Sequence, residues 1–408
     1  MRFSFIHAAD LHIDSPLAGL GLKDRTVAER FARAGHRAVE ALVAETIASE
    51  ARFLIIAGDV FDGDWKDVGT GLFFVRAIGA LHRAGIPVYI VKGNHDAESV
   101  MSRDLPYPET VNVFPSNKAV TLELEAQRVA LHGRSFPHRL TGDFVRTYPA
   151  RREGWLNIGV LHTSLDGTRG HEGYAPCSVD DLKRFGYDYW ALGHIHAAEI
   201  VSRDPWIVFP GNLQGRSVRE TGAKGAMRVT VEDGRIVEVT PLALDGARWA
   251  HLDIDVSDLV DEADVVARID AALIDAHQAA DERPLAARVT LRGATPLHNR
   301  LVARRESLQD DLRASGFRIA EDCWIEQLKI RTTAPHAAAA ISPDADTLDI
   351  DAMLREAAAD PDFAAALERL IKDVEDKLPS DLREAWRQSD ALASLGDDAR
   401  ALLAGALP

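Results

Sequence analysis

Five short motifs of histidine, aspartate and asparagine follow one another along the first half of the chain. They are Asp10-Leu11-His12, Gly58-Asp59, Gly93-Asn94-His95-Asp96, His162 and Gly193-His194-Ile195-His196. Most of them follow apolar runs typical of buried strands, such as FLIIAGD, VYIVKGN and YWALGH. Because loops at the strand ends of an α/β sheet commonly carry its chemistry, we expect these side chains to converge. Such donors are typical ligands for two metal ions, and Asp59 is the best placed to bridge them.

A pair of metal ions explains why these residue types occur together. Two divalent ions about 3.5–4 Å apart can bind both the attacking and the leaving oxygen of a phosphoryl transfer. Imidazole and carboxylate ligands suit manganese, zinc or iron, whereas magnesium prefers oxygen donors. A hydroxide held between the ions is a nucleophile at neutral pH, because metal binding lowers the pKa of water. The pattern therefore predicts hydrolysis without a side-chain nucleophile.

Each motif alone also has an ordinary explanation. An Asp-x-His pair is commonly solvent-exposed, a strand-end histidine commonly packs in the core, and Gly-Asp is a common turn. It is the ordered conjunction of all five motifs that favours a dinuclear site. Neighbouring residues receive other interpretations: a structural role for His7 and His132, support of a ligand by Asp62, substrate contact by His171, a turn at Gly211 and Asn212, and no ligand role for Asp14 and Asp64.

The ordered motifs resemble the calcineurin-like metallophosphoesterase superfamily. Within it, HAADLHIDSPL, AGDVFD, VKGNHD, LHTSLDG, GHIHAAEIV and FPGNLQGRSVRETGAKG are similar to segments of the SbcD/YhaO-type bacterial DNA repair exonucleases. The similarity is strong over residues 1–240 and weak beyond them. It implies an α/β fold, a metallophosphoesterase β-sandwich flanked by helices, followed by a small α+β capping domain and a helical tail.

The resemblance also implies a role for each motif residue. One metal ion would be bound by Asp10, His12, Asp59 and His196, and the other by Asp59, Asn94, His162 and His194. The catalytic pair would be His95, above the phosphate, and Asp96, which would orient the His95 imidazole. The expected cofactors are two divalent ions, manganese first, with zinc or iron as alternatives.

The helical and strand patterns divide the chain into three parts. Residues 1–245 alternate strands with helices and form the predicted catalytic domain, closed by a hairpin that turns at Asp233-Gly234. Residues 246–334 are predicted to form the accessory capping domain, with strands in HLDIDV, ARVTLRG and DCWIEQLKIRT. Its one basic cluster is either a solvated helix face or a phosphate contact; it contains Arg292, Arg300, Arg304, Arg305 and His298.

Residues 335–408 are predicted to be a linker followed by an acidic helical tail. An apolar stripe on one helical face of this tail comprises Phe363, Leu367, Leu370, Val374 and Leu378. The stripe either packs on its own chain or binds a partner. Relatives in the resembled family use C-terminal helices to hold a coiled-coil ATPase of the SMC type, so we expect such a partner and, in addition, a homodimer.

The net charge of −16 is unusual for an enzyme that acts on DNA. Residues 336–408 contain sixteen Asp or Glu and seven Lys or Arg, a net of −9, which leaves −16 − (−9) = −7 for the remainder. Bound metal would add positive charge at the site. Because nucleic-acid affinity depends mainly on basic surface, we expect weak, salt-sensitive DNA binding that a partner or dimerisation assists.

Three functions remain open at this point. The favoured one is a metal-dependent DNA exo/endonuclease subunit that acts in DNA repair with an SMC-like ATPase. The alternatives are a small-molecule or protein phosphoesterase with the same metals, and a scaffold that recruits an ATPase. The two cysteines and the lack of a signal peptide or a run of about 20 apolar residues predict a cytoplasmic protein without membrane contact.

Overall fold

The computed structural model describes residues 1–15, 31, 33–62, 68–98, 105–137, 144–166 and 175–335, with isolated positions between 360 and 377. These residues belong to two compact units. The first comprises Met1–Ala250 with Ala276–Ala286, and the second His251–Asp275 with Ala287–Pro408. The predicted domain boundaries at 245 and 334 stay predictions. His171, Asp64 and the apolar stripe of the tail lie outside the described residues.

The first sheet of the first unit has six strands. They are β1 (Arg2–Ala8), β2 (Leu54–Ala57), β3 (Val88–Val91), β4 (Val111–Val113), β11 (Gly225–Glu232) and β12 (Arg235–Ala243), in the order β12-β11-β1-β2-β3-β4. Strands β1 to β4 run parallel, whereas β11 and β12 are antiparallel to their neighbours. Strands β2 and β3 are buried along their whole length, as expected for parallel strands covered on both faces.

The second sheet of this unit also has six strands. They are β5 (Val120–Leu124), β6 (Val129–Gly133), β7 (Leu156–His162), β8 (Tyr189–Gly193), β9 (Glu199–Arg203) and β10 (Trp206–Phe209), in the order β5-β6-β7-β8-β10-β9. Strands β6, β7, β8 and β10 run parallel, with antiparallel strands at both edges. Buried side chains of both sheets share one hydrophobic core, which includes Phe5, Ile55 and Tyr89 from the first sheet and Leu131 and Ile158 from the second.

Helices cover the outer faces of both sheets. Helices α1 (Ala34–Ala48) and α2 (Val68–Arg83) bury Leu42 and Phe74 in the core on the other face of the first sheet. Helix α3 (Asn94–Glu98) is one turn that begins in a predicted metal-binding motif, and α4 (Val179–Arg184) covers the second sheet. A 3₁₀ turn spans Val145–Thr147. The predicted α/β sandwich flanked by helices is therefore confirmed.

Local signals explain the end of α2 and the turn of the predicted hairpin. Gly85 adopts a φ of 70° just after α2, the left-handed conformation that commonly ends a helix. Asp233 and Gly234 have φ values of 48° and 76°, which suit the two-residue turn between β11 and β12. The predicted hairpin is therefore present.

The remaining elements form a three-stranded sheet with helices. Its strands are β13 (Arg248–Asp255), β14 (Leu285–Ala294) and β15 (Cys323–Thr333), in that order. The helices are α5 (Glu262–Ala279), α6 (His298–Ala303) and α7 (Arg305–Ile319). The sequence pattern predicts one helix where the structure has α6 and α7, which are interrupted at Arg304. None of the helices in the described ranges is both long and apolar enough to span a membrane.

Candidate metal centre

The predicted ligands follow five strands that belong to the two different sheets. Asp10 and His12 follow β1, Asp59 follows β2, and Asn94 follows β3, all in the first sheet; His162 ends β7, and His194 and His196 follow β8, in the second. Hydrogen bonds join these loops, from the His12 N–H to the Asp59 carbonyl (3.1 Å) and from the His194 N–H to the Asp10 carboxylate (2.9 Å). The site therefore lies where the carboxyl ends of both sheets meet.

The side chains gather into two clusters. In the first cluster, Asp10, His12 and His196 each bring a ligand atom within 4.8 Å of the others. In the second cluster, the same holds for Asp59, His162 and His194. The Nε2 atoms of His12 and His196 face one another at 3.2 Å. Such spacing fits nitrogen and oxygen atoms directed at one cation.

Asp59 lies between the clusters. Its Oδ2 is 3.2 Å from His162 Nε2 and 4.0 Å from His12 Nε2. Asn94 Oδ1 completes the second cluster, 3.0 Å from His162 Nε2. The structure thus brings all seven predicted ligands together in the predicted grouping, while their binding of metal stays a prediction.

Three of the histidines are held through Nδ1, which leaves Nε2 directed into the clusters. His12 Nδ1 donates to Asp62 (2.6 Å), His196 Nδ1 to Glu220 (2.7 Å), and His162 Nδ1 to the Ala57 carbonyl (2.9 Å). Metal-binding histidines are commonly oriented in this way by a carboxylate or a carbonyl. The donor set therefore fits divalent ions of the manganese, zinc and iron type.

Burial and neighbouring charges shift the pKa values of the cluster residues. Burial raises the pKa of Asp10 despite the opposing charges of His162 and His196. Burial alone would also raise the pKa of Asp59, but the charge and hydrogen bond of His162 lower it below its usual range. Burial would lower the pKa of His162, yet Asp59 raises it to about 9. Without metal, the buried Asp59 carboxylate and the His162 imidazole, 3.2 Å apart, thus each favour the charged form of the other.

The backbone at the site is unusual for residues other than glycine. Asp10, His12, Asp59 and His194 have φ values of 51°, 42°, 51° and 99°. Positive φ is uncommon in such residues and costs on the order of 1–3 kcal/mol each, so it persists only where surrounding contacts enforce it. Four of the seven predicted ligands thus have this strained backbone, as do eight other non-glycine residues in the described part of the chain.

The glycines of the motifs are required by close packing. A Cβ on Gly58 would lie 2.3 Å from His162 Nδ1, and one on Gly93 would lie 2.1 Å from Asp59 Oδ1. A Cβ on Gly193 would lie 1.9 Å from the carbonyl oxygen of Ala57. Glycine at these positions therefore lets the ligand loops approach one another.

The predicted catalytic pair lies beside the clusters. The half-buried His95 has its ring centroid 5.2 Å from that of His12, and its backbone N–H donates to Asp59 Oδ1 at 3.0 Å. The buried Asp96 accepts backbone N–H groups of Val60, Phe61 and Gly93, which ties together the loops after β2 and β3. Orientation of His95 by Asp96 stays a prediction.

Other residues near the motifs have structural contacts. His7 bonds the Tyr189 hydroxyl (3.0 Å) and the Leu192 carbonyl (3.1 Å) across the sandwich, and burial lowers its pKa to about 3. His132 bonds Thr121 (2.8 Å) and Asn157 (3.0 Å). Both contacts agree with the structural roles inferred from the sequence.

Glu220 and Arg216 are functional candidates that motif analysis did not single out. Despite burial, hydrogen bonding to His196 and the charge of Arg216 lower the pKa of Glu220 to about 2. Asp62, similarly, has a pKa held below its usual range against burial by the hydrogen bond from His12. The only sequence signal for Glu220 was its place in the resembled segment FPGNLQGRSVRETGAKG.

Comparison with known proteins identifies the class. Residues 3–198 match the family model of calcineurin-like phosphoesterases, and residues 249–333 match that of the middle domain of the metallophosphoesterase YhaO. The chain therefore contains a calcineurin-like phosphoesterase domain, followed by a segment similar to the YhaO middle domain. A Bacillus subtilis (strain 168) protein named "Uncharacterized metallophosphoesterase YhaO" is 35% identical over 262 residues, which are 62% of this chain and 64% of that protein. The alignment thus spans somewhat less than two thirds of this relative.

Two solved structures also align with part of the chain. TT1561 of Thermus thermophilus is 13% identical and covers 59% of this chain and 99% of its own, with a TM-score of 0.35. A dimetal phosphatase from Danio rerio is 12% identical and covers 58% of this chain and 98% of its own, with a TM-score of 0.36.

Proposed function

We propose that the protein is a metal-dependent DNA exo/endonuclease subunit that hydrolyses phosphodiester bonds in DNA repair. The observation that carries this proposal is the position of the segment 209–225, which resembles the DNA repair exonucleases. Glu220 of this segment bonds His196, and Lys224 donates to the His196 carbonyl at 3.0 Å, so the segment forms one wall of the metal centre. Its similarity therefore concerns the site itself rather than a distant surface.

The geometry suggests what the chain contributes to the reaction. When bound, two divalent ions, with manganese the first choice, would supply positive charge for the attacking and leaving oxygens of the phosphodiester. Asp10, His12, Asp59, Asn94, His162, His194 and His196 would hold them. His95 lies beside both clusters and is partly exposed, so its imidazole can reach a phosphate at the site, neutralise its charge or protonate the leaving oxygen.

A small-molecule or protein phosphoesterase is the second candidate, and the arginines of the second unit favour it. Arg292 pairs with Asp253 at 2.9 Å, while Arg300 (3.0 Å) and Arg304 both pair with Glu262. Three of the four arginines in the predicted basic cluster are therefore already paired with carboxylates. Exposed pairs of this kind are weak, so DNA phosphates could still compete for them.

Substrate comparison tests the two candidates. Purified full-length protein with Mn²⁺ is incubated with linear duplex and single-stranded DNA, cyclic dinucleotides and aryl phosphates, and Asp59→Asn serves as the control for contaminating nuclease. The nuclease proposal expects DNA shortening that requires Mn²⁺ and is lost in Asp59→Asn. Hydrolysis of cyclic dinucleotides with intact DNA would overturn it in favour of the second candidate.

An SMC-like ATPase partner, a homodimer and a cytoplasmic location complete the proposal. Cys177 and Cys323 are both free and buried, in keeping with a reducing compartment.

The double substitution Leu367→Glu with Leu370→Glu tests partner binding. We expect loss of ATPase association in pull-down while aryl phosphodiester hydrolysis survives. Retained association would place the contact elsewhere, and lost hydrolysis would show that the stripe packs on its own chain.

A further inference from the structure

The first cluster is supported by carboxylates from two distant parts of the chain. Asp62, just after β2, accepts from His12 Nδ1, and Glu220, just before β11, accepts from His196 Nδ1. Both distances are short, 2.6 and 2.7 Å, and both carboxylates are mostly shielded from solvent. Each histidine of this cluster thus has its own anionic support.

Arg216 joins these two carboxylates. Its Nη1 is 3.4 Å from Asp62 Oδ1, and its Nη2 is 3.6 Å from Glu220 Oε1. The second oxygen of Glu220 accepts the backbone N–H of Arg216 at 2.7 Å and Asn212 Nδ2 at 2.9 Å. Because Glu220 accepts hydrogen bonds through both oxygens, an amide in its place could satisfy only one side.

The second cluster lacks this kind of support at His162. There, Nδ1 donates to the main-chain carbonyl of Ala57, which carries no formal charge. A carboxylate behind an imidazole fixes the ring and makes its other nitrogen a better metal ligand, and loss of such a partner typically costs roughly 10–100-fold in metal affinity. Changes to Asp62 or Glu220 should therefore affect one cluster only.

We propose that Glu220 and Asp62, linked by Arg216, are positioning residues that set the affinity of the first cluster for its divalent cation independently of the second cluster. This inference rests on the metal centre of the proposed function and is independent of its DNA substrate. The network acts through His12 and His196, whose Nε2 atoms it aims at one point.

Manganese titration of the metal-free full-length protein tests the proposal. Isothermal titration with Mn²⁺ alone compares the wild type with Glu220→Gln, Asp62→Asn and the matched control Glu125→Gln, an exposed glutamate in the turn between β5 and β6. We expect two sites in the wild type, one of them weakened about 10–100-fold in Glu220→Gln and in Asp62→Asn. Glu125→Gln should match the wild type.

Two further variants, each of which disables one cluster, show which cluster contains the weakened site. In His162→Gln, which disables the second cluster, Glu220→Gln should still weaken the remaining ion. In His12→Gln, which disables the first cluster, Glu220→Gln should leave the remaining affinity unchanged. Thermal unfolding of each metal-free variant checks that it is folded.

The outcomes separate this inference from the metal centre itself. If the wild type binds two ions and Glu220→Gln weakens both equally, or lowers only the unfolding temperature, the positioning role is wrong although the metal centre stands. If folded wild-type protein binds no Mn²⁺, the metal centre of the proposed function and this inference both fail.

Discussion

The two clusters of the metal centre use similar ligands but are held in different ways. In the second cluster Asp59, His162 and His194 are all buried, and His162 is fixed by the main chain at the end of β2. The first cluster is partly open at His196, and side chains from separate loops fix its histidines. The first cluster can therefore be altered by substituting a supporting side chain, whereas the second depends on the path of the backbone.

Asp59→Asn should have the largest effect, because it is the change that touches both clusters. The substituted amide would lack the negative charge that now faces both His12 and His162, so we expect at least one ion to be lost. Phosphodiester hydrolysis should fall by more than the roughly 10–100-fold that is typical when a supporting residue is lost. Metal analysis of the purified variant and an aryl phosphodiester assay measure both. Two ions per chain with full activity would contradict the bridging role.

His95→Gln should leave both clusters filled and impair turnover. Loss of a general acid or of a charge that stabilises the transition state typically costs on the order of 10²–10⁴-fold in rate. The measurement is kcat for an aryl phosphodiester, together with metal content. Should an ion be lost instead, His95 is itself a ligand.

Gly58→Ala should affect the second cluster more than the first. The new Cβ would overlap His162 Nδ1, and the φ of 98° at this position adds strain of about 1–2 kcal/mol for a residue with a side chain. We expect one Mn²⁺ site to weaken in titration. Gly234→Ala is the matched control, because its φ is 76° but no atom lies within 4 Å of the new Cβ. If this control weakened Mn²⁺ binding equally, backbone strain rather than overlap with His162 would explain the effect of Gly58→Ala.

Mild acid should lower the stability of the fold through the buried His7. The buried His7 stays neutral in the folded state down to a pKa of about 3, whereas the unfolded chain takes up a proton near pH 6.5. The free energy of unfolding should therefore fall as the pH drops below 6.5, by about 1.4 kcal/mol per pH unit from this group. Denaturant unfolding between pH 7 and 5 measures it, and His7→Gln should show a shallower slope; an equal slope would refute the assignment.

Most of the site could be predicted from the sequence because each ligand lies in a short motif directly after an apolar strand. The loops of parallel strands meet at one edge, so Asp10, Asp59 and Asn94 converge once the strands are identified. The hairpin at Asp233-Gly234 was predictable for the same reason, since its signal is local. The ion pairs of the arginine cluster could not be predicted, because the partners Asp253 and Glu262 are distant in the sequence from the arginines they bind.

Local periodicity and motif chemistry were enough to predict the ligand types, the strands that carry them and the α/β class. They did not predict which strands share a sheet, the positive φ at Asp10, His12, Asp59 and His194, or the contact between His196 and Glu220. These features depend on packing between segments that are far apart in the chain. No local pattern specifies such packing, because its energy arises only when the two sheets and their loops come together.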